Sequence, residues 1–189
     1  KSTLHRQISS QRFIIGRQGL WPGRRFKGLG GTTSAINQIE ALQLDPLNIT
    51  ARSQEIALHG RVLDFKLGHL YQSAYEQRNF FDYGGTLFLY PMKEFPIWRA
   101  IMPRTARYPR MKEFKKNHPR AMNEVLAALR GNGPMSNRDF EGNGLSQWSY
   151  RGRKDSAVAL FYLWLLGEVM ITSRNGLPIS VGPMFTTFS

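Results

Sequence analysis

The residues best suited to chemistry lie in one short run, Gln43-Leu44-Asp45-Pro46-Leu47-Asn48, where two amides and a carboxylate follow an apolar segment of a basic chain. Pro46 disfavours the α conformation for the residue before it, which predicts an extended Asp45. In an extended chain alternate side chains share a face, so Gln43 and Asp45 point one way and Leu44 the other. Two hydrogen-bonding groups so placed could hold one water. The same run also suits a helix start, with Asp45 as the cap and Pro46 in the first turn, an arrangement that needs no function.

Those residues belong to a chain of 189 residues, enough for one medium domain or two small ones with a real core. Lys and Arg outnumber Asp and Glu 26 to 13, a formal charge of +13 that calls for a polyanionic partner such as a phosphate backbone. The charge is uneven: seven Lys/Arg and no acid fall in the first 39 residues, and eight Lys/Arg against Glu113 alone in residues 99–120. Such blocks read as polyanion footprints, against the alternative of a solvated basic face. No stretch suits a spanning helix or a signal peptide, so no membrane partner is expected. Without cysteine there can be no disulfide, thiolate zinc site, iron–sulfur cluster or Cys nucleophile. The histidines, His5, His59, His69 and His118, lack metal-ligand spacing and read as ordinary surface or interface residues, so no metal and no cofactor are expected. The chain begins at Lys1, and the natural N-terminus is expected to lie upstream.

Several elements must position the motif. Ile8, Phe13, Ile14, Ile15 and Leu20 recur at loosely helical spacing, which predicts a helix over residues 9–20 closed by Gly19. After a Gly-rich basic stretch, Thr32, Thr33 or Ser34 is the expected cap of a second helix, with Ala35, Ile36, Ile39 and Leu42 on one face, which delivers the chain to Gln43. A further amphipathic run from Ala51 to Val62 is expected to turn Ile56, Leu58 and Val62 inward. Residues 79–90 are aromatic and β-rich, interrupted by Gly84-Gly85 as by a turn. Phe80, Phe81 and Tyr83 there could stack on a base, although a Phe-rich strand reads first as core.

Prolines 96, 103, 109 and 119 punctuate the next helices, and Pro119 suits the first turn of one whose apolar face is Met122, Val125, Leu126 and Leu129. Ser136 can cap a short helix through Phe140, and Asp155 or Ser156 can start a long one through Leu166, with Gly167 as its C-cap. Runs Val169–Thr172 and Leu177–Val181 flank Arg174-Asn175-Gly176, where Asn-Gly is a hairpin signal. Helix, short helix, long helix and hairpin make a winged helix-turn-helix, whose third helix and wing commonly meet DNA. Here that helix is apolar nearly all round, which predicts a packed core helix instead of a reading head. Arg151, Arg153 and Lys154, just before it, could hold phosphate together with the helix N-terminus. Arg174 and Asn175 are the candidate contacts on the wing.

With these pieces in hand, residues 12–181 resemble the bacterial winged-helix DNA glycosylases that excise alkylated bases and unhook interstrand crosslinks. The resemblance rests on Ile39-Glu40-Ala41-Leu42-Gln43-Leu44-Asp45-Pro46-Leu47-Asn48, Ala51-Arg52-Ser53, Phe80-Phe81-Asp82-Tyr83-Gly84-Gly85 and Leu165-Leu166-Gly167-Glu168-Val169-Met170. It implies that Gln43 and Asp45 form a Gln-x-Asp catalytic element, the branch linked to broader alkyl-purine and crosslink activity. It also implies a mainly α fold with small β-hairpins (α+β) and tandem winged helices: residues 1–90 carrying the motif, 91–119 a basic helical connector, and 120–189 the second winged helix. Where other members have a Trp-Ala-His-Glu-like sequence this chain reads Asp82-Tyr83-Gly84-Gly85-Thr86, so any role of that histidine and acid is absent or relocated. The family continues into a third winged helix and a β-barrel, which are expected to be absent from this sequence.

The implied chemistry needs few groups. Glycosidic hydrolysis commonly uses two carboxyls, one of them an acid for the leaving group. A purine alkylated at N7 or N3 is already cationic and leaves unprotonated, so Asp45 would stabilise the oxocarbenium-like sugar and accept from the water that Gln43 orients. Asn48 and Arg52 are the expected DNA-contacting or site-ordering residues beside the motif, Arg52 alternatively being a solvent-facing helix residue. The expected protein is a monofunctional, cytoplasmic, nucleoid-associated monomer acting on double-stranded DNA that carries alkylated bases or crosslinks. Two rival readings are a winged-helix transcription regulator, which would need a polar recognition helix and a dimer interface, and a non-catalytic DNA-binding relative in which the motif merely caps a helix.

Overall fold

Residues 2–45, 50–84, 87–140, 155–174 and 180–183 are described in the computed structural model, which is mostly helical with small sheets. The chain divides into two units, Lys1–Lys93 and Glu94–Ser189.

In the first unit α1 (Ser2–Arg17) leads to β1 (Phe26–Lys27), α2 (Gly28–Ile39), β2 (Leu42–Gln43), α3 (Ser53–His59) and β3 (Val62–Leu63). Then come α4 (Leu67–Tyr71), which runs on into a π turn over Gln72–Glu76, and a hairpin of β4 (Phe80–Tyr83) and β5 (Phe88–Pro91). The strands β1 and β3 pair in parallel, while β2, β5 and β4 form an antiparallel sheet in that order, with Leu42 and Asp82 both opposite Leu89. The core between helices and sheet is built from Ala35, Ile36, Leu58, Val62, Leu70, Ala74, Phe80 and Leu89, all essentially without solvent contact. Phe80, Phe81 and Tyr83 are likewise buried, as a core strand requires.

Two local expectations differ from the structure. The helix α2 starts at Gly28, four residues before the expected Thr32, with an extended Lys27 ahead of it and no side-chain cap. The hydroxyls of Thr32, Thr33 and Ser34 instead donate to the carbonyls of Gly28, Leu29 and Gly30, one turn back. The strand β1, paired with β3, runs directly into the helix, and Gly31 admits Phe26: a Cβ on Gly31 would lie 2.9 Å from the Phe26 carbonyl carbon. The second difference is Ile56, which is 60% exposed. Only seven residues of the Ala51–Val62 run are helical, and Gln54 and Leu58, one turn apart, form the buried face, leaving Ile56 opposite.

The second unit opens with α5 (Phe95–Ile101), a 3-10 turn over Met102–Arg107, and α6 (Pro109–Asn117), with Pro96, Pro103 and Pro109 in their first turns. There follow α7 (Ala121–Asn132), β6 (Met135–Ser136), a 3-10 turn over Asn137–Asp139, α8 (Asp155–Leu165), β7 (Val169–Ser173) and β8 (Ser180–Pro183). Met122, Val125 and Leu129 of α7 are buried, and α8 buries Val158, Ala159, Leu160, Tyr162, Leu163 and Trp164, the pattern of a core helix. Ser136 caps its turn as expected, its hydroxyl and backbone both bonded to the Asp139 carboxylate. His118, stacked on Phe114, contacts Asp155 at 2.9 Å and so ties the end of α6 to the start of α8. The strands order as β6, β8, β7, so here too the short strand after a leading helix pairs with the second strand of a hairpin. Of the expected strand Leu177–Val181, Ser180 and Val181 lie in β8, while Leu177, Pro178 and Ile179 and the Asn175-Gly176 turn lie outside the described residues.

Candidate functional site

The path to the motif begins at the end of α2. Glu40 takes the left-handed conformation (φ 66°) and donates its N–H to Ile36 O, and this cap turns the chain directly into β2. Along β2 and beyond it burial alternates: Leu42 and Leu44 are buried, Gln43 is exposed and Asp45 is half-buried. That is the alternation of an extended chain with one covered face. The sheet holds it in register, with Gln43 opposite Phe88 and the Leu44 N–H donating to Leu87 O at 2.7 Å.

At Asp45 a side chain takes the place of a strand on the outer edge. Gln54, in the first turn of α3 and only 4% exposed, accepts the Asp45 N–H at 2.9 Å and directs its own amide N–H to Asp45 O at 3.4 Å. A carboxamide has the donor and acceptor of a peptide group, so Gln54 stands in for one residue of a pairing strand. Pro46, Leu47, Asn48 and Ile49 lie outside the described residues, and with them the expectation that Pro46 opens a helix capped by Asp45. The next described helix, α3, has Arg52 as its N-cap.

Arg52 is half-buried, not solvent-facing. Its Nη1 donates to the Tyr71 hydroxyl at 2.9 Å, Tyr71 stacks on Tyr75 with ring centres 6.3 Å apart, and the Tyr75 hydroxyl donates to Asp82 Oδ2 at 2.8 Å. Asp82 is 5% exposed in the middle of β4. This series runs from the start of α3, through α4 and the π turn, to the sheet that carries β2. Burying a carboxylate costs several kcal/mol unless it is hydrogen-bonded, and the tyrosine donor offsets part of that cost for Asp82 in a core strand.

Gln54, Tyr71 and Tyr75 are not among the residues that the sequence singles out, and Asp82 enters there only within the segment Phe80–Gly85. Signals for Gln54 and Asp82 exist. Gln54 shares a helical face with Leu58, and Asp82 interrupts a Phe-rich strand, and polar residues at such positions must find partners when the face is buried. The remaining candidate contacts are dispersed or undescribed. Arg174 follows β7 and is half-buried, whereas Asn48, Arg151, Arg153, Lys154 and Asn175 lie outside the described residues. Among the described residues no three His, Asp or Glu side chains cluster as metal ligands, and no helix is long and apolar enough to cross a membrane.

No curated protein matches the chain, and no solved structure does. A family model described as DNA glycosylase AlkZ-like matches residues 36–187, a span that begins inside α2, contains Gln43, Asp45, Gln54, Arg52 and Asp82, and runs through the hairpin of the second unit. Since that span is most of the chain, the protein belongs to the DNA glycosylase AlkZ-like family.

Proposed function

We propose that the protein hydrolyses the N-glycosidic bond of cationic alkylated purines in double-stranded DNA, and that it unhooks interstrand crosslinks joined through such bases, with Gln43 and Asp45 as its catalytic pair. One observation carries this reading: an exposed Gln43 and a half-buried Asp45 alternate with buried leucines along the edge strand of a three-stranded sheet and its continuation. The family membership supplies the reaction class.

The chemistry needs no protein acid. In a purine alkylated at N7 or N3 the C1′–N9 bond breaks with its electron pair passing to the base, whose positive charge is thereby cancelled. The carboxylate of Asp45 stabilises the oxocarbenium-like sugar that remains. Gln43 orients the water that bonds to C1′, and Asp45 accepts the proton that this water loses. Metal and redox cofactor have no step in this scheme. Arg52, engaged by Tyr71, acts as a site-ordering group in this reading. A motif on an edge strand, with Gln43 exposed, also suits lesions too bulky to be flipped into a tight pocket.

The protein is further read as two winged helices in tandem, one in each unit, supported by the strand order shared by the sheets β2-β5-β4 and β6-β8-β7. Burial of α8 argues against base-edge reading by that helix and hence against a sequence-specific regulator. DNA would then be held mainly through its phosphates, as a monomer in the nucleoid-containing compartment.

The test is release of N7-methylguanine from alkylated duplex DNA by the wild-type chain and by Asp45→Asn at low salt. Release that is lost in the variant while DNA binding persists is the expected result, because the charge stabilised by Asp45 develops only in the transition state. Affinity that falls in step with rate would sink the assignment.

A further inference from the structure

The Gln54 carboxamide is buried, belongs to a different element from the motif, and closes on both main-chain polar groups of a single residue, Asp45. A side chain needed only to fill the core at this point would be apolar, since an amide must be desolvated and then fully paired to be tolerated there. What the amide does instead is pair the β2 segment at Asp45 on its outer edge, the side opposite to the bond between Leu44 and Leu87. The Asp45 backbone is therefore held on both its N–H and its C=O side. Immediately after Asp45 comes Pro46, which has no N–H to give and could not continue the ladder.

We infer that Gln54 is a positioning residue for the reaction: it holds Asp45 in the extended conformation that keeps its carboxylate on the same side as the Gln43 amide. The inference rests on the reading of Gln43 and Asp45 as the catalytic pair. It assigns Gln54 no contact with substrate. Its effect runs through the Asp45 main chain, and its loss is felt in the rate and not in the affinity for DNA.

The experiment is a mutant cycle on the intact chain, measuring single-turnover release of N7-methylguanine, the Kd for undamaged duplex and thermal unfolding. Gln54→Met keeps the side-chain length while removing both hydrogen bonds, and release is expected to fall about 10- to 100-fold, the cost of an ångström-scale misplacement. The Kd stays unchanged. In the Asp45→Asn background the same substitution brings no further loss, because two residues acting through one carboxylate are not additive. Gln54→Glu retains an acceptor for the Asp45 N–H but sets oxygen against Asp45 O, and its rate is expected between wild type and Gln54→Met; it also serves if the methionine variant does not fold. Wild-type release in either folded variant overturns the proposal, as does an equal fractional loss with and without the Asp45 carboxylate, the mark of a purely structural role. The underlying reading fails in a different way: wild type releases no base, or Asp45→Asn releases it unchanged.

Discussion

A carboxylate and an amide two residues apart carry unequal shares of the proposed reaction. Asp45 meets a full developing charge, so Asp45→Asn is expected to slow base release by about 100-fold or more, the range seen when a transition-state electrostatic partner is removed. Gln43 only orients a neutral water, and Gln43→Ala is expected to cost less in the same single-turnover assay; an equal or larger loss would reverse the two roles. The residue types and the proline are what single this pair out in the sequence as candidates, whereas nothing there ties Gln54 to them, because its partner is a backbone nine positions upstream that only the turn into α3 brings within reach. A second carboxylate offers a separate check. Two hydrogen bonds from Ser136, first from its backbone and then from its hydroxyl, lower the pKa of Asp139 from the ordinary 3.8, against a small opposing effect of desolvation. A depressed carboxylate contributes stability that is fully present above its unfolded-state pKa and is lost as pH falls through the folded one. Wild type should therefore lose stability below about pH 4 in part through Asp139, and Asp139→Asn should flatten that limb of the unfolding curve while leaving its shape near neutrality unchanged.

Among the elements, the start of α2 matters because everything downstream of it sets the course of β2. The Thr-Thr-Ser run looked like a cap since those side chains compete for free backbone donors, but the same hydroxyls also bond carbonyls one turn back inside a helix, and sequence alone does not separate the two uses. What decides it is Gly31, whose bare Cα lets α2 close against β1. Gly31→Ala would place a Cβ 2.9 Å from backbone and 3.1 Å from the Phe26 Cβ, neither of which can swing aside. The variant is expected to lose about 1–3 kcal/mol in urea unfolding, the usual cost of overpacking, in spite of alanine's better helix propensity. A gain in stability would mean that β1 yields freely. The aromatic hairpin and α8 were legible for the opposite reason: runs as apolar as Phe80-Phe81 and Val158–Trp164 have few alternatives to the core. Asp82 is the exception within the hairpin, and Tyr75→Phe, which deletes one donor to it, is expected to cost about 1–3 kcal/mol, measured by the same unfolding.

On the scale of the whole molecule the sequence announces a charge of +13 but not which cations reach solvent, because that depends on which faces of the helices are covered. In α6 the answer comes from two buried anchors, Met111 and Phe114, three residues apart on one face. The rest of the helix is therefore turned outward, and Arg110, Lys112, Lys115 and Lys116 are all exposed, with Glu113 the one acid among them. If the proposed grip on DNA is mainly through phosphates, affinity for undamaged duplex should be nearly indifferent to sequence and fall linearly with salt on a log–log plot, by about 0.9 in slope for each phosphate engaged. Replacing Lys112, Lys115 and Lys116 together by Gln then lowers that slope, while single-turnover release at saturating enzyme stays unchanged because none of the three lies near Asp45 in the chain. A slope that survives the triple substitution would make α6 a solvated basic face, with the polyanion held elsewhere. A slope that falls together with the saturated rate would mean that these lysines position the lesion as well as bind the duplex.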